Sequence, residues 1–153
     1  ATYTFNADEF NGDGSLGVAT IASWLLNLAP GESIVSALFT STFGNSANPT
    51  SATGVVTVGG VTVATCASPG FPCWSGPGPT PISYNFAASE FGALTGTFDL
   101  AYNQTGCCVI RLGPSELVIN TDVAAVPLPA AMPALLVGLG ALGAVGLRRR
   151  RKA

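Results

Sequence analysis

Histidine is absent from the 153 residues, and lysine occurs once, at Lys152. A serine or cysteine nucleophile needs an adjacent base, and this sequence offers no histidine and only one late lysine for that role, so triad catalysis is excluded in practice. The lack of histidine also disfavours zinc, because the cysteines do not form a C-x-x-C pair that could replace it. We therefore predict a protein that is not an enzyme and carries no metal or other cofactor.

Basic residues are almost missing from the first 125 positions. This part of the sequence has eight carboxylates and a single base, Arg111, so its net charge is −7. Binding to nucleic acid depends on lysine and arginine side chains that displace counterions. Nucleic acid is therefore excluded as a partner of this part of the protein.

Charge of either sign is missing from Val123 to Leu147, a run of 25 residues. About 20 apolar residues are enough for a helix to cross a bilayer. Because Pro127, Pro129 and Pro133 prevent a regular helix through the first part of this run, we predict a linker over 123–132 and a transmembrane helix over 133–147. A basic tail follows over 148–153, and positive charge stays on the cytoplasmic side, so residues 1–122 are expected across the membrane. The basic cluster that sets this orientation is Arg148, Arg149, Arg150, Arg151 and Lys152.

These three consecutive parts resemble a known sorting signal. A short proline-containing motif (Val126, Pro127, Leu128, Pro129 and Ala130), an apolar segment and an arginine cluster occur in that order. The arrangement resembles the C-terminal signal of PEP-CTERM proteins in its VPLPA variant, although the commonest form has glutamate where this chain has Leu128. The resemblance implies an exosortase-type enzyme in the envelope of a Gram-negative bacterium, cleavage near the motif, and transfer to the cell surface or extracellular matrix. The alternative is a permanent C-terminal anchor without processing.

Residues 1–122 are expected to form one exported domain. The sequence given starts at Ala1 without a basic and apolar leader, which we interpret as the result of signal-peptide removal. Few charges and many Gly, Ser, Thr and Val residues favour strands and turns over helices. The segment 21–28 also fits a helix face, but its short length and the following turn at Pro30 and Gly31 favour a strand. Alternating patterns predict strands over 2–7, 21–28, 34–43, 54–58, 61–66, 82–87, 94–102, 109–112 and 117–121.

This spacing predicts an all-β fold, an antiparallel β-sandwich of jelly-roll type. The clearest local signal is the pair Gly59 and Gly60 between two valine-rich runs, which predicts a tight hairpin with Val58 opposite Val61 and Val56 opposite Val63. A second hairpin is expected around residues 113–116, where glycine and proline separate the last two strands.

Four cysteines, Cys66, Cys73, Cys107 and Cys108, are expected to form disulfides, because an exported protein reaches an oxidising compartment. Cys66 and Cys73 flank a loop rich in proline and glycine and are paired on that ground. A bond between the neighbours Cys107 and Cys108 would be strained, since their Cα atoms lie ~3.8 Å apart, but it is the pairing that we favour, within a turn. The alternative joins each of them to Cys66 or Cys73, although adjacent strand residues point to opposite faces and do not easily reach both partners.

Three groups of side chains deserve a functional test. Glu90, Asp99 and Glu116 could supply the paired carboxylates of a glycosidase if two of them converged. The loop that contains Asp8, Glu9, Asn11 and Asp13 offers oxygen ligands for calcium but fails the EF-hand pattern, because Thr20 stands where glutamate is required. The alternatives that remain are an ordinary acidic turn, which we favour, and a calcium site of another kind. Trp24 is predicted to be core, whereas Trp74, in the loop of 67–81, could stack on a sugar or cover the end of the sandwich.

The leading interpretation is an exported surface or matrix protein with a structural or adhesive role, whose partners are the membrane and an exosortase-type enzyme. The alternative is a carbohydrate-binding module that contacts exopolysaccharide through Trp74. A hydrolase is the third interpretation, and it depends on two converging carboxylates.

Overall fold

Two antiparallel sheets make up the part of the chain that the computed structural model describes, which is residues 1–12, 14–44, 54–66, 80–106 and 111–123. All of these residues belong to one compact unit, Ala1–Val123. Its strands are β1 (Thr2–Ala7), β2 (Phe10–Asn11), β3 (Gly17–Leu26), β4 (Glu32–Phe43), β5 (Gly54–Val58), β6 (Val61–Cys66), β7 (Thr80–Asn85), β8 (Gly96–Gln104), β9 (Arg111–Leu112) and β10 (Ser115–Val123). A short 3₁₀ helix covers Ala88–Leu94.

The strand order is that of a jelly roll. The first sheet has the order β1-β10-β4-β7, with β2 and β9 continuing the lines of β1 and β10. The second sheet has the order β3-β8-β5-β6. Chain neighbours such as β3 and β4 therefore lie in different sheets, as in the double Greek key of jelly rolls. The prediction of an antiparallel β-sandwich is confirmed.

The core lies between the sheets and is built from alternate residues of each strand, because successive side chains of a strand point to opposite faces. Phe39, Leu100, Leu117 and Ile119 are completely buried. At one side an aromatic cluster closes the sandwich: Trp24 lies 5.8 Å from Phe5 and 5.9 Å from Phe98 between ring centroids. Trp24 is 8% exposed, so its predicted position in the core is confirmed.

Two turns follow the sequence prediction. Pro30 and Gly31 form the tight turn between β3 and β4, with Gly31 at φ +80° and the Glu32 amide donating to the Ala29 carbonyl over 2.9 Å. In the hairpin of β5 and β6, Val58 lies opposite Val61, as predicted. Farther from the turn the prediction is wrong by one residue, because Val56 lies opposite Ala64 across a β-bulge. Val63, the residue that the bulge leaves without a partner, is only 7% exposed.

The predicted second hairpin is wrong. β9 and β10 run in one line along the same neighbour, β4, with Leu112 opposite Phe43 and Glu116 opposite Thr40. Between them, Gly113 donates its amide to the Thr42 carbonyl over 2.8 Å. Glycine and proline therefore mark an irregularity within a long strand here, and the chain does not reverse. The 3₁₀ helix at Ala88–Leu94 was not predicted either, because seven residues are too few for a periodic pattern.

No helix within the described ranges is long and apolar enough to cross a membrane. The predicted linker over 123–132 begins with the last residue of β10, and all of its other residues lie outside those ranges. The predicted transmembrane helix over 133–147 and the basic tail over 148–153 lie outside them entirely.

Candidate functional site

The residues to which the sequence assigns the clearest roles lie outside the described part of the chain. They are the predicted sorting motif Val126, Pro127, Leu128, Pro129 and Ala130, the basic cluster Arg148, Arg149, Arg150, Arg151 and Lys152, the aromatic residue Trp74, and Cys73, Cys107 and Cys108. Cys66 is described only by its backbone, which ends β6 opposite Gly54. The disulfides and the sugar contact of Trp74 therefore stay predictions.

The three carboxylates considered for glycoside hydrolysis lie on different surfaces. Glu116 is exposed on the outer face of the first sheet, since its neighbours along β10, Ser115 and Leu117, are buried. Asp99 is exposed on the outer face of the second sheet and accepts a hydrogen bond of 2.6 Å from the Ser23 hydroxyl. Glu90 belongs to the 3₁₀ helix. These three carboxylates therefore do not supply the converging pair that a glycosidase needs.

Glu90 has a structural environment. Its carboxylate accepts a hydrogen bond of 2.9 Å from the Tyr84 hydroxyl and one of 2.8 Å from the Ala87 amide at the start of the 3₁₀ helix. The hydrogen bond to Glu90 raises the pKa of Tyr84, because an anion beside the hydroxyl disfavours its ionisation. Glu90 thus fastens the helix to β7.

In the acidic loop considered as a calcium site, the Glu9 carboxylate is part of an ion pair. Glu9 pairs with Arg111, and it also accepts a hydrogen bond of 3.1 Å from the Asn11 side-chain amide. The contact with Arg111 lowers the pKa of Glu9. Among the residues of known placement no group of three acidic or sulfur ligands comes together, and Asp13 lies outside them. The only base of residues 1–125 therefore joins β9 to the segment between β1 and β2.

A shallow groove crosses the first sheet where its strands are interrupted. It lies beside the break between β9 and β10, and both Asp8 and Glu116 face it. Its other lining residues are Asn6, Ala7, Thr40, Ser41, Thr42, Pro114 and Ser115. Seven of its nine lining residues have polar side chains, although most of the surface that they expose is apolar. The groove is open to solvent, so it offers hydrogen-bonding groups and two carboxylates but no enclosed site from which water is excluded.

The break beneath this groove is held by buried hydroxyls. Ser41 and Ser115 are 8% and 2% exposed, and the Ser115 hydroxyl donates to the Ser41 oxygen over 2.9 Å. The Ser41 hydroxyl in turn lies 3.1 Å from the Gly113 carbonyl, to which it donates. A side chain at Gly113 would place its Cβ 2.1 Å from the Thr42 hydroxyl oxygen, so a larger residue there would require the Thr42 side chain to move. Side-chain and backbone hydrogen bonds therefore hold the irregularity in place.

A smaller pocket of about 170 Å³ opens at the end of the sandwich near β2. Tyr102 and Gln104 contribute to its wall, together with Phe10 and residues 15–19. The Tyr102 hydroxyl is buried and has no hydrogen-bond partner among the described residues, and burial raises the pKa of this hydroxyl. It packs against Gly54, where a Cβ would lie 2.7 Å from the hydroxyl oxygen. The hydroxyl is thus enclosed by the backbone rather than presented to solvent.

Glu32 makes the densest set of hydrogen bonds of any carboxylate in the described residues. It accepts from the Ala29 amide over 2.8 Å, from the Tyr3 hydroxyl over 3.1 Å and from the Thr121 hydroxyl. The hydrogen bond from Thr121 is the main cause that lowers the pKa of Glu32, with the Ala29 amide next. Because Tyr3 and Thr121 lie 29 and 89 residues away along the chain, no local sequence signal could have identified this cluster.

Comparison with known proteins assigns this chain to no family. No family model matches it, and no curated protein matches it. Among solved structures it is similar to the VP2 subviral particle of infectious bursal disease virus, with 15% identity, a TM-score of 0.45, and coverage of 78% of this chain and 32% of that one. The structure of the virus's Gx strain gives 15% identity, a TM-score of 0.44 and the same coverage. The chain spans about a third of the length of the solved structures that it matches.

Proposed function

We propose that this protein is an exported β-sandwich displayed at the surface or in the extracellular matrix of a Gram-negative bacterium, with a structural or adhesive role. The C-terminal signal of residues 126–152 directs it there: an exosortase-type enzyme reads the VPLPA motif and cleaves near it. The apolar segment and the basic cluster hold the precursor in the inner membrane until cleavage.

The position of the motif relative to the sandwich supports this proposal. β10 ends at Val123, and only Ala124 and Ala125 separate it from Val126. β10 lies between β1 and β4 and carries Leu117 and Ile119 into the core. A cut within 126–130 would therefore release every described strand of the sandwich and leave only a few residues after β10.

The intact mass of the protein, recovered from its native envelope and from the medium, tests the proposal. We expect a chain that ends within Val126–Ala130, and we expect the double substitution Pro127→Ala and Pro129→Ala to retain Arg148–Lys152. Pro133→Ala, which lies outside the motif, is the matched control and should be processed normally. The same spectrum before and after reduction counts the disulfides. If the unsubstituted protein keeps its basic cluster in every fraction, the chain is permanently anchored and the sorting proposal fails.

A further inference from the structure

Sheet edges are the places where a β-sandwich can add another strand, because an edge strand leaves backbone groups unpaired. The four long edge strands here are β1 and β7 in the first sheet and β3 and β6 in the second. Three of them carry an obstruction. β7 contains Pro81, which lacks an N–H group, β3 has a bulge at Ile21, and β6 has a bulge at Val63.

β1 carries none of these obstructions. Its six residues, Thr2–Ala7, include no proline and no charge, and they pair with β10 without a register shift. Lysine, proline, charge and bulges are the means by which proteins keep edges from pairing. β1 is therefore the one long edge strand in the described sheets that remains open to a further strand.

The hydrogen bonds at Ala1 establish which backbone groups of β1 face outward. The Ala1 and Thr121 backbones exchange two bonds of 2.8 Å, and such pairs alternate with pairs that are not hydrogen-bonded. Tyr3 and Phe5 therefore bond to β10, whereas the amides and carbonyls of Thr2, Thr4 and Asn6 point to the free edge. The Asn6 carbonyl accepts a hydrogen bond of 3.3 Å from the Trp24 indole, which agrees with this assignment.

The Trp24 indole leaves only the first part of β1 free to pair with another strand. Because the Asn6 carbonyl is occupied, the amides and carbonyls of Thr2 and Thr4 are the complementary groups that remain. A strand that bonds to both residues must supply two donors and two acceptors at the same spacing. A second β1 in antiparallel orientation supplies them, since Thr2 of each copy then lies opposite Thr4 of the other.

We propose that two copies of this protein associate by antiparallel pairing of their β1 strands, with Tyr3 opposite Tyr3 on the two-fold axis. Each Thr2–Thr4 pair exchanges two backbone hydrogen bonds, and the first sheets of the two copies join into one continuous sheet. Residues 1–125 carry a net charge of −7, but β1 has no charged side chain. The paired strands therefore bring no like charges together. Tyr3 and Phe5 are only partly buried at this edge, so the second copy also covers apolar surface. The inference is independent of the sorting signal.

Hydrogen exchange of the unsubstituted full chain in detergent solution tests the pairing directly. As protein concentration rises a hundredfold, exchange of the Thr4 amide should slow by roughly tenfold or more, because only the paired copy protects it. The Phe5 amide, which bonds to β10, is the internal reference and should stay constant. Exchange at Thr4 that stays as fast at the highest concentration as at the lowest overturns the proposal, since no second copy then covers this edge.

Two substitutions at Thr4 separate the contribution of its backbone N–H group to dimerisation from that of its side chain. Thr4→Pro removes the outward N–H group and should leave a monomer in sedimentation at concentrations where the unsubstituted chain is a dimer. Thr4→Val keeps that N–H group and should still dimerise. Equal dimerisation of the proline variant, once circular dichroism has shown that it is folded, overturns the proposal. If that variant fails to fold, the exchange experiment decides alone.

Discussion

At the scale of single residues, one carboxylate connects parts of the chain that the sequence keeps far apart. Glu32 begins β4, and its oxygens accept hydrogen bonds from the preceding turn, from β1 and from β10. The sequence indicated a turn at Pro30 and Gly31 but gave no role to the acid that follows it. Its role depends on tertiary contacts, which a pattern of neighbouring residues does not encode.

The lowered pKa of Glu32 predicts an acid-dependent contribution to stability. A folded-state pKa below the usual value of 4.5 means that the contribution is complete above that value and is lost as pH falls through the lowered pKa. We expect Glu32→Gln to unfold at a lower urea concentration than the unsubstituted protein at pH 7, and this difference should shrink toward pH 3. Glu116→Gln removes an exposed charge from β10 and is the control. An equal effect of Glu32→Gln at both pH values would contradict the assignment.

At the scale of strands, the sequence predicted most elements because alternating burial is a local property. The β5–β6 hairpin and the strands at β1, β3, β4, β7 and β8 all follow from period-two patterns. The error at residues 113–116 arose because glycine and proline have the same local signature in a turn and in a strand irregularity. Only the partner strand distinguishes the two, and here β4 runs beside both β9 and β10.

The turn of the β5–β6 hairpin contacts the 3₁₀ helix, and a matched pair of substitutions measures that contact. Gly59 and Gly60 both have positive φ, at +57° and +81°, so alanine at either position costs about 1 kcal/mol of backbone strain. At Gly60 the added Cβ meets open space, whereas at Gly59 it would lie 2.2 Å from the Ala93 carbonyl oxygen. We therefore expect Gly59→Ala to lower the free energy of unfolding by about 2 kcal/mol more than Gly60→Ala. Equal losses in urea unfolding would mean that the helix yields without cost.

At the scale of the whole molecule, the fold joins the first and last strands of the sandwich. β1 pairs with β10 along Thr2–Ala7, and β10 also pairs with β4. The sequence predicted a sandwich from the number and spacing of strands, but not which strands pair. It also could not show that Asp99 and Glu116 lie on opposite sheets, because that depends on the order of strands in space. The predicted sorting motif, by contrast, is a linear pattern, so its prediction does not depend on the fold.

The central position of β10 predicts how truncation affects stability. A chain that ends at Ala125 keeps every described strand pairing, so its thermal midpoint should lie within a few degrees of that of the full chain. A chain that ends at Ile119 loses Thr121, which is 7% exposed and binds Glu32, together with the pairing of residues 121–123 with β4. We expect its midpoint to fall by about 10 °C or more in circular dichroism under the same conditions. A large loss already at Ala125 would mean that residues after β10 stabilise the sandwich, and cleavage near the motif would then weaken the released protein.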